Sequence, residues 1–178
     1  NRNKGKEFWL CFPNHIPSGN TPTTPVGQMT IWITSDQASS GIVTITNGSF
    51  PAIPFTVAAN GIVPLSIPHN LAHIFNAESG LIIQKSIKIK VDAGQPAVVA
   101  YVQQYGNARS AATLLLPTNV LGKKYRAFSF THSASSGTGG AGQPTQNSRS
   151  QFQIIATQPN TQVEITPFVN GVKGTTFT

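Results

Sequence analysis

Residues 85–91, with the sequence KSIKIKV, decide the fold class, because polar and apolar side chains alternate along them with a period of two. This period is typical of a β-strand with one buried face and one solvated face. Ile87, Ile89 and Val91 are predicted to point into a core, and Lys88 and Lys90 to face water. Lysines on the open face also discourage edge-to-edge pairing with other sheets.

The same alternation extends outward in both directions from this strand. A dense aromatic segment opens the chain, and its sequence is EFWLCF (residues 7–12). Four more segments follow the alternating pattern before residue 85, namely 29–34, 42–46, 53–57 and 62–67. The first of these places Met29, Ile31 and Ile33 on one face. Two Asn-Gly pairs, at 47–48 and 60–61, predict tight turns, since Asn and Gly readily adopt left-handed backbone conformations.

The second half of the chain continues in short strands. Residues 97–102 are nearly all apolar, which predicts a central strand buried on both faces. Further strands are predicted at 112–116, 125–131, 152–157 and 163–166, and a short helical turn within 69–79. The sequence therefore predicts an all-β fold, an antiparallel β-sandwich with jelly-roll-like wrapping. We expect about ten to twelve short strands and at most one short helical turn.

Length and composition set the domain organisation. The chain has 178 residues, of which 10% are charged, and contains 16 glycines and 13 prolines. Such a chain is long enough to bury a core in one domain. We expect a single sandwich domain over residues 1–167. Residues 168–178 are expected to begin a following segment or form a last strand, in a chain cut from a longer protein.

The net charge of +7 favours anionic partners in general, but the basic residues are scattered along the sequence. We therefore predict a solvated basic surface and no nucleic-acid site. No apolar run approaches the roughly 20 residues that span a bilayer, so membrane insertion is not predicted. Cys11 is the single cysteine, is expected to be buried, and excludes an internal disulfide.

No motif indicates catalysis. There is no Gly-x-Ser-x-Gly sequence, and the five carboxylates are far apart along the chain. His69 and His73 have the i, i+4 spacing of a metal-binding helix, but Asn70 stands where a metalloprotease helix has its Glu. We predict no enzyme, no metal and no cofactor. A hydrolase whose carboxylates meet only in space remains a third alternative.

Candidate binding residues come from exposed loops and from charge. Residues 133–150 form a Gly-, Ser-, Gln- and Asn-rich loop, longer than the about 12–15 residues at which such loops become unusual. Among the aromatic residues, only Tyr105 is expected to be exposed, whereas Trp9, Trp32, Tyr101 and Tyr125 are expected mostly in the core. The predicted binding residues are Tyr105, Asn107, Arg109, Gly139, Gln143, Gln146, Arg149, Lys88 and Lys90.

Several weak motifs occur together in a specific order. The chain has Gly-x-x-Phe-Trp at 5–9 and Ile-Thr-Ser at 33–35, and later Ile-x-Val at 89–91 followed by Pro96 and Val98-x-x-Tyr101. It then has Leu116-Pro117, Leu121-Gly122-x-x-Tyr125, Ile154-x-Ala156 and Asn160-Thr161-x-Val163-x-Ile165-x-Pro167. In this order the chain resembles the IgGFc-binding protein N-terminal domain family over about 160 residues. The Gly-, Gln- and Asn-rich stretch before Ile154 looks expanded relative to that family.

The resemblance implies an exported bacterial module, extracellular or on the cell surface, within a long multidomain protein. We expect a non-enzymatic adhesion or scaffold module that binds a glycan, a mucin-like polymer or an envelope polymer. The alternative is a structural subunit that assembles with sister domains or neighbouring copies by strand pairing, into a surface filament or layer. Binding of IgG is suggested by the family name alone, since no motif carries it onto residues of this chain.

Overall fold

The computed structural model describes residues 3–13, 27–48, 50–106, 109–128, 152–169, 171–176 and 178. Within these residues the chain forms ten β-strands, one α-helical turn and two 3-10 turns. The strands are β1 (Glu7–Leu10), β2 (Gly27–Ser35), β3 (Ser39–Ile45), β4 (Ile53–Val57), β5 (Gly61–Ile67), β6 (Ile87–Val91), β7 (Val99–Gly106), β8 (Arg109–Leu114), β9 (Phe168–Val169) and β10 (Val172–Lys173). The helix α1 (His69–Ala72) and the 3-10 turn Asn76–Glu78 connect β5 to β6, and a second 3-10 turn, Thr118–Val120, follows β8.

Eight of the strands form two four-stranded antiparallel sheets. The first sheet has the order β1-β6-β3-β4, and the second has the order β5-β2-β7-β8. Three pairs are nested along the chain: β3 with β4, β2 with β5, and β1 with β6. This nesting wraps a long hairpin around the core, as in a jelly roll, and β7 and β8 then extend the second sheet. Within the described residues, β9 and β10 pair only with each other.

The two sheets bury one shared core between their inner faces. The inward residues are large and aliphatic or aromatic, as the period of two requires. They include Phe8 and Leu10 of β1, Met29, Ile31 and Ile33 of β2, Val43 and Ile45 of β3, Phe55 and Val57 of β4, Leu65 and Ile67 of β5, Ile87, Ile89 and Val91 of β6, and Ala100 and Val102 of β7. This architecture confirms the all-β, antiparallel sandwich predicted from the sequence.

The start of the chain connects the two sheets. Gly5 exchanges two backbone hydrogen bonds with Val98, just before β7, at 2.9 and 3.0 Å. Pro117 packs directly on Gly5, where an added Cβ would lie 2.0 Å from the proline Cβ. Only glycine fits at this position, because any side chain would overlap the proline ring. The segment after β8 is therefore held against the first strand.

Three details differ from the sequence-based predictions. β7 is central in its sheet, but it is buried on one face only, because a two-layer sandwich leaves the outer face open to water. Asn60 has φ +56° and makes a turn as predicted, yet this turn leads from the first sheet to the second. In residues 125–128, 152–157 and 163–166 the chain forms no strand that pairs in a sheet. Residues 129–131 of the strand predicted at 125–131 lie outside the described part.

Ile31 tests the shared core, because it lies at the centre of β2 and is 0% exposed. Replacing Ile31 by alanine leaves a cavity between the sheets, and we expect it to lower the free energy of unfolding by about 2–5 kcal/mol. Urea denaturation measures this change. Ile62→Ala is the matched control, since Ile62 is 60% exposed and the same truncation there should change stability by less than about 0.5 kcal/mol. Equal effects of the two variants would contradict the packing described here.

Candidate binding surfaces

The outer face of the second sheet carries a group of aromatic and amide side chains, which we call the aromatic face. It is centred on Trp32 of β2 and on Tyr101, Gln103 and Tyr105 of β7. Trp32 lies directly opposite Tyr101 across the strand pair, and Tyr105 lies opposite Gln28. These residues point outward because they alternate with the buried residues of the same strands.

The aromatic side chains of this face are partly exposed to solvent, and one of them is oriented by a hydrogen bond. Tyr101 is 41% exposed and Tyr105 is 49% exposed, and Trp32 is half-buried. The indole Nε1 of Trp32 donates a hydrogen bond to Oε1 of Gln103 at 3.2 Å, which orients both side chains. A tryptophan with its ring edge held in this way presents a rigid apolar surface next to an amide.

No charged side chain lies on the aromatic face between residues 28 and 34 of β2, 62 and 66 of β5, 99 and 105 of β7, or 110 and 114 of β8. The neighbouring outward residues are instead uncharged: Thr30, Thr34, Ser66, Ser110 and Ala112 are small or hydroxylated, and Ile62, Pro64 and Leu114 are apolar. The protein has a net charge of +7, so the lack of charged side chains distinguishes these strands from the rest of the chain. Tyrosine, tryptophan and amide groups on rigid backbone are the side chains that recognition surfaces favour.

The outer face of the first sheet has the opposite character, and we call it the lysine face. Lys88 lies opposite Trp9 and also opposite Thr44, and Lys90 lies opposite Glu7. The Lys88 ammonium is 2.9 Å from Oε2 of Glu7 and 5.0 Å from the centre of the Trp9 ring. Nε1 of Trp9 donates to Oε1 of Glu7 at 3.1 Å. Lys88 therefore has two partners within its own sheet, whereas Lys90 is exposed.

The predicted binding residues do not converge on one site. Tyr105 lies on the aromatic face, and Lys88 and Lys90 lie on the opposite side of the sandwich. Arg109 begins β8, where its backbone pairs with Gly106. The remaining predicted residues lie outside the described part of the chain and stay predictions: Asn107, Gly139, Gln143, Gln146 and Arg149.

The sequence analysis missed Trp32 and Tyr101, which it placed in the core. The alternation contained the signal that would have found them. Since Met29, Ile31 and Ile33 point inward, Trp32 must point outward, and Tyr101 follows by the same rule from its buried neighbours Ala100 and Val102. Hydrophobicity alone was a misleading criterion, because aromatic residues are also common on recognition surfaces.

An open groove of about 450 Å³ lies beside β1 and β6. Two carboxylate residues, Glu7 and Asp92, line this groove. Hydrogen bonding to Lys88 lowers the pKa of Glu7, and Asp92 accepts a hydrogen bond from the Ser40 hydroxyl at 2.6 Å. A glycosidase acid needs a raised pKa, so Glu7 has the wrong electrostatic environment for that role.

The Cys11 thiol and the His69–His73 pair are the remaining side chains that could act as a nucleophile or as metal ligands. Burial raises the pKa of the Cys11 thiol to about 11, and its Sγ donates to Oε1 of Gln153 at 2.7 Å. The thiol is half-buried and stays protonated near neutral pH, which makes it a poor nucleophile.

His69 and His73 are both buried, and their rings stack with centroids 4.3 Å apart. Among the described residues no group of three or more His, Cys, Asp or Glu side chains gathers as a metal site.

Lys85 and Glu78 enclose the histidine pair. The Lys85 ammonium binds the His73 carbonyl at 2.9 Å and Oε1 of Glu78 at 2.6 Å, and it lies 4.7 Å from the centre of the Phe75 ring. The helical turn predicted within 69–79 is thus present as α1, and it places both histidines against the sandwich.

A comparison with protein families matches residues 111–178 to the family model described as IgGFc binding protein. The match starts within β8 and includes the motifs from Leu116-Pro117 to Pro167, so it confirms the resemblance to this family over the second part of the chain. It indicates an extracellular binding module. No curated protein and no solved structure matches the chain. None of the helices in the described residues has the length and apolar character needed to cross a membrane.

The buried His69 predicts a stability that depends on pH. Burial lowers the pKa of His69, and the nearby Lys85 ammonium lowers it further. The unfolded chain, with a histidine pKa of about 6.5, therefore binds more protons, and the free energy of unfolding falls as the pH drops below about 6.5 toward the lowered folded value. Glu7 and Glu78 have lowered pKa values and titrate below about 4.5, outside this window.

Urea denaturation at about pH 7.5 and about pH 5.5 measures this effect. We expect the wild type to be less stable at the lower pH, and His69→Phe to reduce the difference, since phenylalanine keeps a ring on His73 and cannot be protonated. Equal stability of the wild type at the two pH values would contradict the prediction.

Proposed function

We propose that this chain is a non-enzymatic adhesion module that binds a glycan or mucin-like polymer through its aromatic face. The observation that carries the proposal is the uncharged outer surface of the second sheet, where Trp32, Tyr101 and Tyr105 stand beside Gln28 and Gln103. The match of residues 111–178 to a family of binding modules supports a recognition role and leaves the ligand open.

The spacing of the aromatic rings suits an extended polymer. Trp32 and Tyr101 are direct cross-strand neighbours, whose Cβ atoms lie about 5 Å apart. Tyr105 is four residues further along β7, which corresponds to about 13 Å along the strand. Several sugar rings laid along β7 would contact both tyrosines. The apolar faces of sugars stack on aromatic rings, and their hydroxyl groups exchange hydrogen bonds with amides such as Gln28 and Gln103.

The aromatic face differs from the lysine face in charge, and this difference predicts which ligands it can bind. The basic residues Lys88 and Lys90 lie on the other side of the sandwich, so the described strands of the aromatic face offer no cation to an anionic ligand. Binding through it should favour neutral sugars and depend little on salt, because screening acts on charges. Attraction of acidic polymers to the basic surface would instead disappear as the salt concentration rises.

Binding of IgG is a second possibility that rests only on the name of the matched family. No described residue points to an Fc site. The strand-pairing alternative requires a free sheet edge, and the edge strands of the two described four-stranded sheets are β1, β4, β5 and β8.

A screen of the purified chain against neutral glycans, acidic glycans, mucins and IgG Fc tests the proposal, at low and at physiological salt. We expect binding to a neutral glycan or a mucin that persists at physiological salt. Trp32→Ala and Tyr101→Ala should each weaken it roughly tenfold to thirtyfold, as for aromatic residues at the centre of other interfaces. Trp9→Ala is the matched control, because it removes an aromatic ring from the lysine face.

Three outcomes would contradict the proposal. Binding that vanishes at physiological salt would assign the attraction to the net charge. Unchanged binding by the Trp32 and Tyr101 variants would remove the aromatic face as the site. Loss of binding after deletion of residues 133–150, with both aromatic variants intact in affinity, would place recognition in that loop.

A further inference from the structure

The two sheets have four edges, and the sequence protects two of them with proline. β4 and β5 are edge strands, and they contain Pro54 and Pro64, respectively. Proline has no backbone N–H, so an edge strand that contains it is a poor template for another strand. These two edges are therefore closed to continuous pairing.

A third edge, that of β1, is short and fixed at both ends. β1 has four residues and carries the charged Glu7. Its flanks are engaged within the chain, since Gly5 pairs with Val98 and Phe12 pairs with His73. Shortness and charge are the common protections of an edge strand.

The edge of β8 has none of these protections. β8 has six residues, and after Arg109 its sequence, SAATL, contains no proline and no charge. The side chains of residues 110–113 are exposed. No strand among the described residues pairs with the outer edge of β8.

The hydrogen-bonding groups on this edge can be assigned by alternation. The N–H of Leu115 donates to the carbonyl of Ala100 at 2.9 Å, toward β7. In an antiparallel pair, residues that bond to the neighbouring strand alternate with residues whose N–H and C=O point away. Thr113 and Ala111 therefore bond to β7, and Ser110, Ala112 and Leu114 present their backbone groups outward.

We propose that two copies of this chain pair through β8, antiparallel, about a twofold axis at Ala112. Ala112 then faces Ala112 of the second copy, and Ser110 faces Leu114 of the second copy. All three outward residues of each strand form hydrogen bonds in this register, and directly opposite residues lie on the same face of the sheet. The two Arg109 backbones lie at opposite ends of the pair, about 20 Å apart along the strands.

A second copy fits this edge because its own β8 is the least protected edge of the two described four-stranded sheets. Its β4 and β5 edges contain proline and its β1 edge is short, so among these four edges β8 pairs best with β8. Pairing of the same strand about a twofold axis closes the assembly at two chains and does not extend into a filament.

The dimer has a consequence for binding that rests on the proposed function. Pairing through β8 joins the two second sheets into one sheet of eight strands, with both aromatic faces on the same side. Two binding faces on one surface raise the apparent affinity for a long polymer through avidity.

Sedimentation velocity over a range of protein concentrations, at physiological salt, tests the dimer. Ala112→Pro removes the central outward N–H, which β7 does not use, and we expect it to weaken dimerisation at least roughly tenfold. Ala112→Lys and Ala112→Glu should each weaken it as well, since like charges would face each other across the axis. An equimolar mixture of these two variants should form heterodimers. Circular dichroism checks that each variant is folded.

Ser66→Lys is the matched control, because Ser66 lies on the same face at the opposite edge of the sheet and should leave dimerisation unchanged. A wild type that stays monomeric up to millimolar concentration would overturn the proposal. So would a dimer that persists in Ala112→Pro, or a Lys and Glu mixture that remains monomeric. Glycan binding by the monomeric Ala112→Pro variant, which adds no charge to the aromatic face, separates failure of the dimer from failure of the proposed function: retained binding by a monomer supports the aromatic face independently of the dimer.

Discussion

The packing of β2 between its two neighbours and against the opposite sheet is the constraint on which this structure depends. β2 pairs with β5 on one side and β7 on the other, and its inward residues Met29, Ile31 and Ile33 lie at the centre of the core. Because side chains alternate along a strand, burying these three forces Trp32 outward. The same strand thus creates the core and the aromatic face, and a shift in register by one residue would destroy both.

The sandwich separates two kinds of surface. On the lysine face Lys88 pairs with Glu7 and lies over Trp9 while Lys90 faces solvent, whereas the described strands of the aromatic face place no charged side chain on the other side. Two sheets packed through a shared apolar core make this separation possible, since each sheet has only one face left for solvent. The sheet edges also differ in how well they resist pairing with another strand. The edge strands β4 and β5 contain proline, whereas β8 carries mostly small uncharged residues.

Much of the fold was predictable because local periodicity carries it. The strands around Ile31, Val43, Leu65 and Ile89 appear where the alternation places them, and α1 forms where the alternation fails. Within the described residues, the segments 152–157 and 163–166 form no strand, and Ile165 makes only an isolated bridge. An extended sequence becomes a strand only when a neighbour exchanges a row of hydrogen bonds with it. The candidate site was predicted poorly, since a residue's chemistry does not reveal which face of which sheet it occupies.

Local periodicity is enough to assign the fold class and the inward set of most main strands, because side-chain direction in a strand is a local property with a period of two. Which strands are neighbours and which are edges depends instead on contacts between distant segments. Strand order follows from long-range pairing between segments such as Gly5 and Val98, which no local pattern records. For that reason the separation of Tyr105 from Lys88, the 4.3 Å stack of His69 on His73 and the open edge of β8 emerged only from the folded chain.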